Sequence, residues 1–99
     1  DGMTTDIKNN LWVCHYHGAK ITIYDKKGIR IHTIKLPAKN ITNCTFGGIY
    51  NNELYISTAL KGMNSSEIIK YPLSGGLFKI NTSQRGKNTK SFKIPSSIF

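Results

Sequence analysis

The sequence contains few cysteines and no long apolar run. Its two cysteines, Cys14 and Cys44, lack C-x-x-C spacing, which argues against a disulfide framework or a cysteine zinc site. We therefore expect two reduced, mostly buried thiols. No segment approaches the roughly 20 apolar residues of a membrane span, and no basic-then-apolar leader opens the chain. These absences predict a soluble, cytoplasmic protein with no membrane partner.

Acidic residues are also scarce, which leaves a formal charge of +9 from 14 Lys and Arg against 5 Asp and Glu. A nucleic-acid partner would require those cations to cluster, but the lysines are spread through turns and strand-like alternations. Only Lys87 to Lys93 approaches a basic run, and it lacks the interleaved aromatic residues that stack on bases. We expect no nucleic-acid partner. Steeply salt-dependent binding to DNA or RNA would indicate the opposite.

Helical periodicity is nearly absent, whereas short runs of alternating apolar and polar residues are common. Such runs, separated by Gly, Asn, Asp and Pro, predict strands and hairpins. In the second predicted strand, Trp12 and Cys14 are expected on one face, with Val13 and His15 on the other. The first part of the chain predicts four strands: Met3 to Asp6, Leu11 to Tyr16, Lys20 to Asp25 and Ile29 to Leu36, the last ended by Pro37.

The strand pattern then repeats in the second part of the chain. Asn51 to Ile56 echoes Asn9 to Val13, and Phe92 to Pro95 echoes Ile34 to Pro37. The repeat predicts two four-stranded antiparallel units, one over 1–37 and one over 38–95, with a tail at 96–99. The second unit carries an insertion at 61–74, in which Ser65, Ser66 and Glu67 open a single helical turn before Pro72 ends it.

Four-stranded antiparallel units that repeat about every 40 residues are the blades of a β-propeller, which closes typically with 4 to 8 blades. Two blades cannot close a ring and leave strand edges open. The sequence therefore predicts an all-β, incomplete propeller whose earlier blades precede Asp1. The G-H…W-D signature is missing, which disfavours the WD subfamily.

Five stretches of the chain, in order, carry a family resemblance. They are Asp1-Gly2-Met3 with Asp6, Asn10 to Val13, Thr42 to Gly48, Leu54 to Ala59 and Pro72 to Phe78. Over these stretches the chain resembles the last third of the senescence marker protein/gluconolactonase/regucalcin-like family. The likeness extends from Asp1 to about Ile94. It implies a six-bladed β-propeller that holds one divalent cation and hydrolyses sugar lactones.

The resemblance assigns one site residue to this chain. The aspartate of the Asp-Gly-Met motif is a metal ligand in such proteins, and by position that residue is Asp1. The remaining ligands would lie in the missing N-terminal blades, so we expect the fragment alone to be inactive. Asn43 stands where many relatives have Ser, and His15 to His17 stand where relatives have aromatic residues and Gly. These differences bear on substrate preference.

The implied chemistry needs hard oxygen ligands around a cation. Such a cation polarises a lactone carbonyl and lowers the pKa of a bound water. An aspartate carboxylate is ionised at neutral pH, which suits Asp1 to the ligand role and, secondarily, to that of a general base. Ca²⁺ or Zn²⁺ is expected, and Mg²⁺ or Mn²⁺ also suits an oxygen-rich site. The alternative function is a non-catalytic propeller fragment or interaction module.

Other polar residues have simpler interpretations. From the pattern alone, Asp1 is a capping or turn aspartate, and only the resemblance makes it a ligand. Asp6 precedes an Asn-rich turn and is expected to hydrogen-bond within it. His15 and His17 share a strand face and form a candidate metal pair, although rim positions near the site are favoured. Cys44 with His32 or His15 is a candidate nucleophile pair, for which a packed thiol is the default.

Overall fold

The computed structural model describes residues 1–98 and shows an all-β chain built from two antiparallel sheets. The first sheet has the strand order β1-β2-β3-β4, and the second has the order β5-β6-β7. The predicted fold class is therefore confirmed. The strands are β1 (Met3–Thr5), β2 (Leu11–His15), β3 (Lys20–Tyr24), β4 (Arg30–Lys35), β5 (Asn40–Gly47), β6 (Glu53–Ala59) and β7 (Leu77–Asn81).

The first sheet forms a simple up-and-down meander whose strands follow the sequence pattern closely. Trp12 pairs with Ile23 and Cys14 with Ile21 across β2 and β3, so four buried side chains lie on one face of the sheet. The β3–β4 hairpin turns at Gly28, whose φ of 81° favours glycine. The predicted alternation in β2, with Trp12 and Cys14 inside, is confirmed.

The second sheet has three strands among residues 1–98, one fewer than predicted. Phe92 to Pro95 does not form the expected fourth strand, and Phe92 and Ile94 are exposed. The reason is the course of the chain after β7, which returns to the first sheet. The amide of Ile7 donates to the carbonyl of Arg85 at 2.7 Å, which turns the chain away from the outer edge of β7.

A short helix, α1 (Ser65–Lys70), lies in the predicted insertion between β6 and β7. Ser65, Ser66 and Glu67 open the helix, as the sequence predicts, and the N-cap is Asn64. The Asn64 side chain accepts from the amide of Glu67, and the Glu67 carboxylate accepts from the amide of Asn64, which forms a capping box. Within residues 1–98, no helix has the length and apolar character needed to cross a membrane.

The tail predicted at 96–99 contains a 3₁₀ turn at Ser96–Ile98, and its last residue lies outside the described part of the chain. The residue boundaries of the two proposed blades stay a prediction.

The hydrophobic core lies between the two sheets. The first sheet contributes Trp12, Cys14, Ile21 and Ile23, and the second contributes Ile41, Cys44, Leu54 and Ile56, with Leu36 and Ala38 from the connection. The rings of Trp12 and Phe46 meet edge to face, with centroids 5.0 Å apart. Because most of these side chains are buried only by the facing sheet, each sheet depends on the other for its stability.

Candidate functional site

The starts of the two innermost strands, β1 and β5, lie side by side. The amide of Gly2 donates to the carbonyl of Thr42 at 2.7 Å, which joins the two strand starts. Met3 pairs with Val13, and Asn40 pairs with Ala59, so the ends of β2 and β6 reach the same edge. The β2–β3 turn and the α1 insertion therefore leave the sheets at the end that carries Asp1.

Asp1 is exposed at this end, and its carboxylate is available to a ligand. Its terminal ammonium donates to the carbonyl of Cys14 at 2.6 Å, which fixes the backbone at the start of β1. Within residues 1–98, the Asp1 carboxylate has no hydrogen-bond or ion-pair partner. A free carboxylate on an anchored backbone is the arrangement that a metal ligand requires.

Gly2 allows β1 to approach β5 closely. A Cβ atom at this position would lie 2.2 Å from Oδ1 of Asn43 and 2.7 Å from the carbonyl oxygen of Thr42. No larger residue fits there unless the strand moves. The glycine of the Asp-Gly-Met motif is therefore a packing requirement that holds Asp1 over the junction of the two inner strands.

Asp6 contrasts with Asp1, because every part of its carboxylate is used within the fold. It is fully buried, and it accepts from the amides of Lys8 and Asn10, the side chain of Asn10 and Nε1 of Trp12 at 2.9–3.0 Å. Burial alone raises the pKa of Asp6, but these hydrogen bonds outweigh burial and hold the pKa below its ordinary value. The predicted turn role of Asp6 is confirmed.

The two histidines near this end do not act as a pair. Nε2 of His15 lies 2.6 Å from Oγ1 of Thr22, whereas His17 lies beyond the strand in a turn with φ of 65°. The expectation that both share a strand face is wrong, because β2 ends at His15. Burial, the Lys20 charge and the terminal ammonium lower the pKa of His15, which places a neutral imidazole near Asp1.

The cysteines have no imidazole partner. Both thiols are free and buried, as expected from the sequence. Sγ of Cys44 lies 4.0 Å from the carbonyl oxygen of Trp12, and residues 1–98 give it no hydrogen bond to His15 or His32. The candidate pairing of Cys44 with a histidine as a nucleophile is therefore not formed.

The sequence did not predict that Asn43 lies at the candidate site. Its Oδ1 accepts from the amide of Cys44 at 2.9 Å and lies against Gly2, so its amide borders the start of β1. A register shift in β5 between Ile41 and Asn43 brings it there. The only sequence signal was its difference from the Ser of many relatives.

The donor set at this end fits part of a divalent-cation site. The Asp1 carboxylate supplies hard oxygen atoms of the kind that Ca²⁺ prefers. Residues 1–98 nevertheless contain no group of three or more His, Cys, Asp or Glu side chains that could hold a metal ion. The Asp1 carboxylate is therefore suited to be a single ligand, and no cluster of such side chains completes a site around it within residues 1–98.

A cleft lies at the opposite end of the sheets. It has a volume of about 470 Å³ and is lined on one side by Trp12 and Ile34 and on the other by Ile80 and Gln84. Asp6 also lines it, with its carboxylate engaged inside the fold. The cleft is therefore separate from the strand starts that carry Asp1.

Comparison of the fold with solved structures defines the class of protein. The chain superposes on a calcium-binding protein, regucalcin, from Agrobacterium tumefaciens with a TM-score of 0.88 and 21% identity, covering 95% of this chain and 32% of that one. It also matches a luciferin-regenerating enzyme with a TM-score of 0.77 and 28% identity, over 88% of this chain and 29% of that one. The two sheets therefore belong to a propeller-type fold.

Comparison of sequences gives the family. Residues 1–60 match the model of the SMP-30/Gluconolactonase/LRE-like region. Regucalcin from Pongo abelii is 41% identical over 81 residues, which is 81% of this chain and 27% of that protein, and human regucalcin is 40% identical over the same length. The chain belongs to the SMP-30/gluconolactonase/LRE-like family. It spans about a quarter of the length of these relatives.

Proposed function

We propose that this chain is the C-terminal portion of a divalent-metal-dependent sugar-lactone hydrolase, and that Asp1 is one of its metal ligands. The observation that carries the proposal is the free Asp1 carboxylate at the start of the innermost strand, inside the segment that matches the family. The regucalcin from Agrobacterium tumefaciens is described as calcium-binding, which favours Ca²⁺ as the cation.

The chemistry assigns separate tasks to the cation and to this chain. When bound, a divalent cation polarises the lactone carbonyl and makes a coordinated water more acidic. The chain holds the backbone that carries the Asp1 carboxylate through the bond from the Asp1 nitrogen to the carbonyl of Cys14 and the bond from the amide of Gly2 to the carbonyl of Thr42. A fixed ligand keeps its geometry through the reaction, which avoids reorganisation as charge develops on the substrate.

Two side chains near Asp1, those of Asn43 and His15, are suited to contact the hydroxyl groups of a sugar ring. Nδ2 of Asn43 has no hydrogen-bond partner within residues 1–98, so it is free to donate to a hydroxyl group. Burial and the charge of Lys20 lower the pKa of His15, which follows Cys14, the partner of the Asp1 nitrogen, on β2. We propose that both line the approach to Asp1 and contribute to substrate preference.

The proposal is tested by measuring metal binding and lactone hydrolysis with the longest natural polypeptide that contains this segment. The protein is loaded with Ca²⁺, the release of acid from glucono-1,5-lactone is followed, and calcium binding is measured by calorimetry. Asp1→Asn is expected to weaken calcium binding by at least about tenfold, because an ionised ligand becomes neutral, and to slow hydrolysis accordingly.

Asp25→Asn is the matched control, because Asp25 makes only local hydrogen bonds in the β3–β4 hairpin, to the amides of Lys27 and Ile29. Equal calcium affinity in Asp1→Asn, Asp25→Asn and the wild type would contradict the ligand role. Calcium binding without lactone hydrolysis would contradict the enzyme and favour a non-catalytic propeller.

A further inference from the structure

The insertion between β6 and β7, which contains α1, presents large apolar side chains to solvent. On the helix, Ile69 is 79% exposed and Ile68 is 39% exposed. Leu60 and Leu73, on either side of the helix, are 48% and 56% exposed. No side chain of α1 is buried. Single exposed apolar residues are common on protein surfaces, but several on one short segment are typical of an interaction site.

The contacts of Glu67 orient α1 on the sheets. Its carboxylate forms an ion pair with the ammonium of Lys39, which immediately precedes β5. Glu67 therefore faces the body of the protein. Ile69 follows two residues later, which places its side chain about 200° further around the helix axis. The side chain of Ile69 therefore points away from the sheets, in agreement with its exposure.

The two ends of the insertion lie side by side. A Cβ atom at Gly75 would lie 3.6 Å from Cβ of Leu60. The carbonyl of Leu73 accepts from the amide of Gly76 at 3.1 Å, in the turn that leads into β7. Leu60 and Leu73 therefore lie at the base of the projection whose outer side carries Ile69.

The end of the sheets from which the insertion projects is cationic. β3 begins at Lys20 and β4 ends at Lys35, and these two residues pair across the strands. The lysines at this end are Lys20, Lys35, Lys39, Lys61 and Lys70. The acidic residues at this end, among residues 1–98, are Asp1 and Glu67, and the charge of Glu67 is balanced by Lys39. Exposed apolar side chains and excess positive charge therefore occur together.

We propose that the α1 insertion is a membrane-surface contact, in which Ile69 enters the headgroup region of an anionic membrane and Lys61 and Lys70 meet the lipid phosphates. Charge complementarity selects this partner, since the whole chain carries a formal charge of +9. An anionic lipid layer offers both negative charge and apolar depth. Nucleic acid offers no comparable apolar phase for Ile69.

A surface contact needs no membrane-spanning segment. The inference therefore differs from the sequence-based expectation of no membrane partner, which rested on the lack of a span. A few apolar side chains and lysines give weak, reversible binding that salt screens. The inference does not depend on the proposed lactonase activity.

Co-sedimentation with vesicles tests the proposal on the longest natural polypeptide that contains this segment, loaded with Ca²⁺. Vesicles of equal parts phosphatidylcholine and phosphatidylserine are compared with vesicles of phosphatidylcholine alone. The protein is expected to sediment with the anionic vesicles, and less so as the salt concentration is raised. Equal binding to both kinds of vesicle would overturn the proposal. Binding to neither would also overturn it and would favour a protein partner for this face.

Ile69→Gln is expected to weaken vesicle binding at least about fivefold, because an apolar side chain no longer enters the lipid. Ile49→Gln is the matched control, since Ile49 is 95% exposed in the turn between β5 and β6, at the opposite end of the sheets. Lys70→Gln is expected to weaken binding about fivefold. Its control is Lys26→Gln, an exposed lysine of the β3–β4 hairpin. Equal effects within either pair would overturn the proposal.

Asp1→Asn distinguishes the proposed contact from a calcium bridge between the protein and the lipid. This variant is expected to bind vesicles as the wild type does, even where its calcium affinity is weakened. Loss of vesicle binding in Asp1→Asn would assign the binding to the cation and overturn the role of the insertion. Retained vesicle binding without lactone hydrolysis would support the membrane contact and contradict the proposed enzyme activity alone.

Discussion

Gly2 shows how one missing side chain positions a candidate ligand. The carbonyl of Thr42 and the amide of Asn43 fill the space that a Cβ atom at position 2 would need. The family motif contains this glycine beside its aspartate, and the structure gives the physical reason. Movement at residue 2 would also move the backbone of Asp1, because the two share a peptide bond.

Gly2→Ala is predicted to destabilise the protein by about 1–3 kcal/mol, since the added methyl group overpacks the junction between β1 and β5. Urea denaturation of the variant and the wild type measures the effect. Adding Asn43→Ala removes the nearer contact but leaves the Thr42 carbonyl, so the double variant should recover part of the loss. No recovery would show that Asn43 is not the obstacle.

Asp6→Asn is predicted to cost about 2–4 kcal/mol at pH 7, because a buried carboxylate that accepts four hydrogen bonds loses its charge. The lowered pKa of Asp6 means that its stabilisation is present above the unfolded-state pKa of about 3.9 and is lost as the pH falls through the lower folded-state value.

Denaturation measured from pH 7 down to pH 2 checks both the size and the pH dependence of the Asp6 effect. The variant should lose less stability than the wild type over the acid range. Asp25→Asn, which removes a charge from a partly exposed turn, is the control and should change stability by less than about 1 kcal/mol. Equal effects at the two positions would contradict the role of burial.

His15 gives a second pH range, at higher pH than that of Asp6 but with the same loss of stability on acidification. Its folded-state pKa lies below the ordinary value of about 6.5, so the folded state binds fewer protons there than the unfolded state. Stability is therefore expected to fall as the pH drops below about 6.5. His15→Gln, with unfolding measured between pH 7.5 and 5, should remove this slope. A slope that persists would assign it to other groups.

At the scale of the element, the helix α1 depends on its cap. It has six residues and no buried side chain, so packing contributes little and the Asn64 capping box contributes much. Asn64→Ala is predicted to cost about 1 kcal/mol locally. Hydrogen exchange at the amides of Glu67 and Ile68 should speed up, whereas exchange in β2 should not. Unchanged exchange in α1 would contradict the prediction.

Strand positions were largely predictable from the sequence, because one buried face imposes alternation of apolar and polar residues on β2 and β6. The failed prediction at Phe92 to Pro95 has a physical explanation. That segment has the alternation of a strand, but Ile7 and Arg85 bond to each other and direct the chain elsewhere. The local alternation of apolar and polar residues carries no information about which distant backbone groups form hydrogen bonds. A long-range bond such as that between Ile7 and Arg85 therefore overrides the local pattern.

The candidate site was predictable in part. The Asp-Gly-Met motif pointed to Asp1, and the structure leaves its carboxylate free, although its metal-binding role stays a prediction. The place of Asn43 depends on the register shift in β5, and the presence of Cys14 and Cys44 in one core cluster depends on how the sheets face each other. Neither leaves a mark in a single sequence, because both arise from contacts between separate elements.

At the scale of the whole molecule, the chain is more open than a closed domain of its length. Its radius of gyration is 15.6 Å, against about 13 Å for a compact chain of 100 residues. The outer edge of β7 has no strand partner within residues 1–98, and Leu77 on that strand is 75% exposed. An open edge with exposed apolar residues favours pairing with another strand.

This 99-residue chain is therefore predicted to self-associate with increasing concentration, as measured by analytical ultracentrifugation. Leu77→Lys should weaken the association by adding a charge at the open edge. Ile69→Lys is the matched control, because Ile69 is 79% exposed on α1, away from any strand edge. Equal weakening by both variants would assign the association to apolar surface and not to the edge.

The return of the chain from β7 to the first sheet has a further consequence, for the order of folding. The bridge between Asp6 and Gly86 joins residues near the two ends of the described chain. During synthesis, β1 can pair with β2 early, but its last contacts wait until Gly86 has left the ribosome. Closing so long a loop is slow, so we expect the Asp6–Gly86 bridge to form last, after the core and the Gly2–Thr42 bond have joined the two sheets.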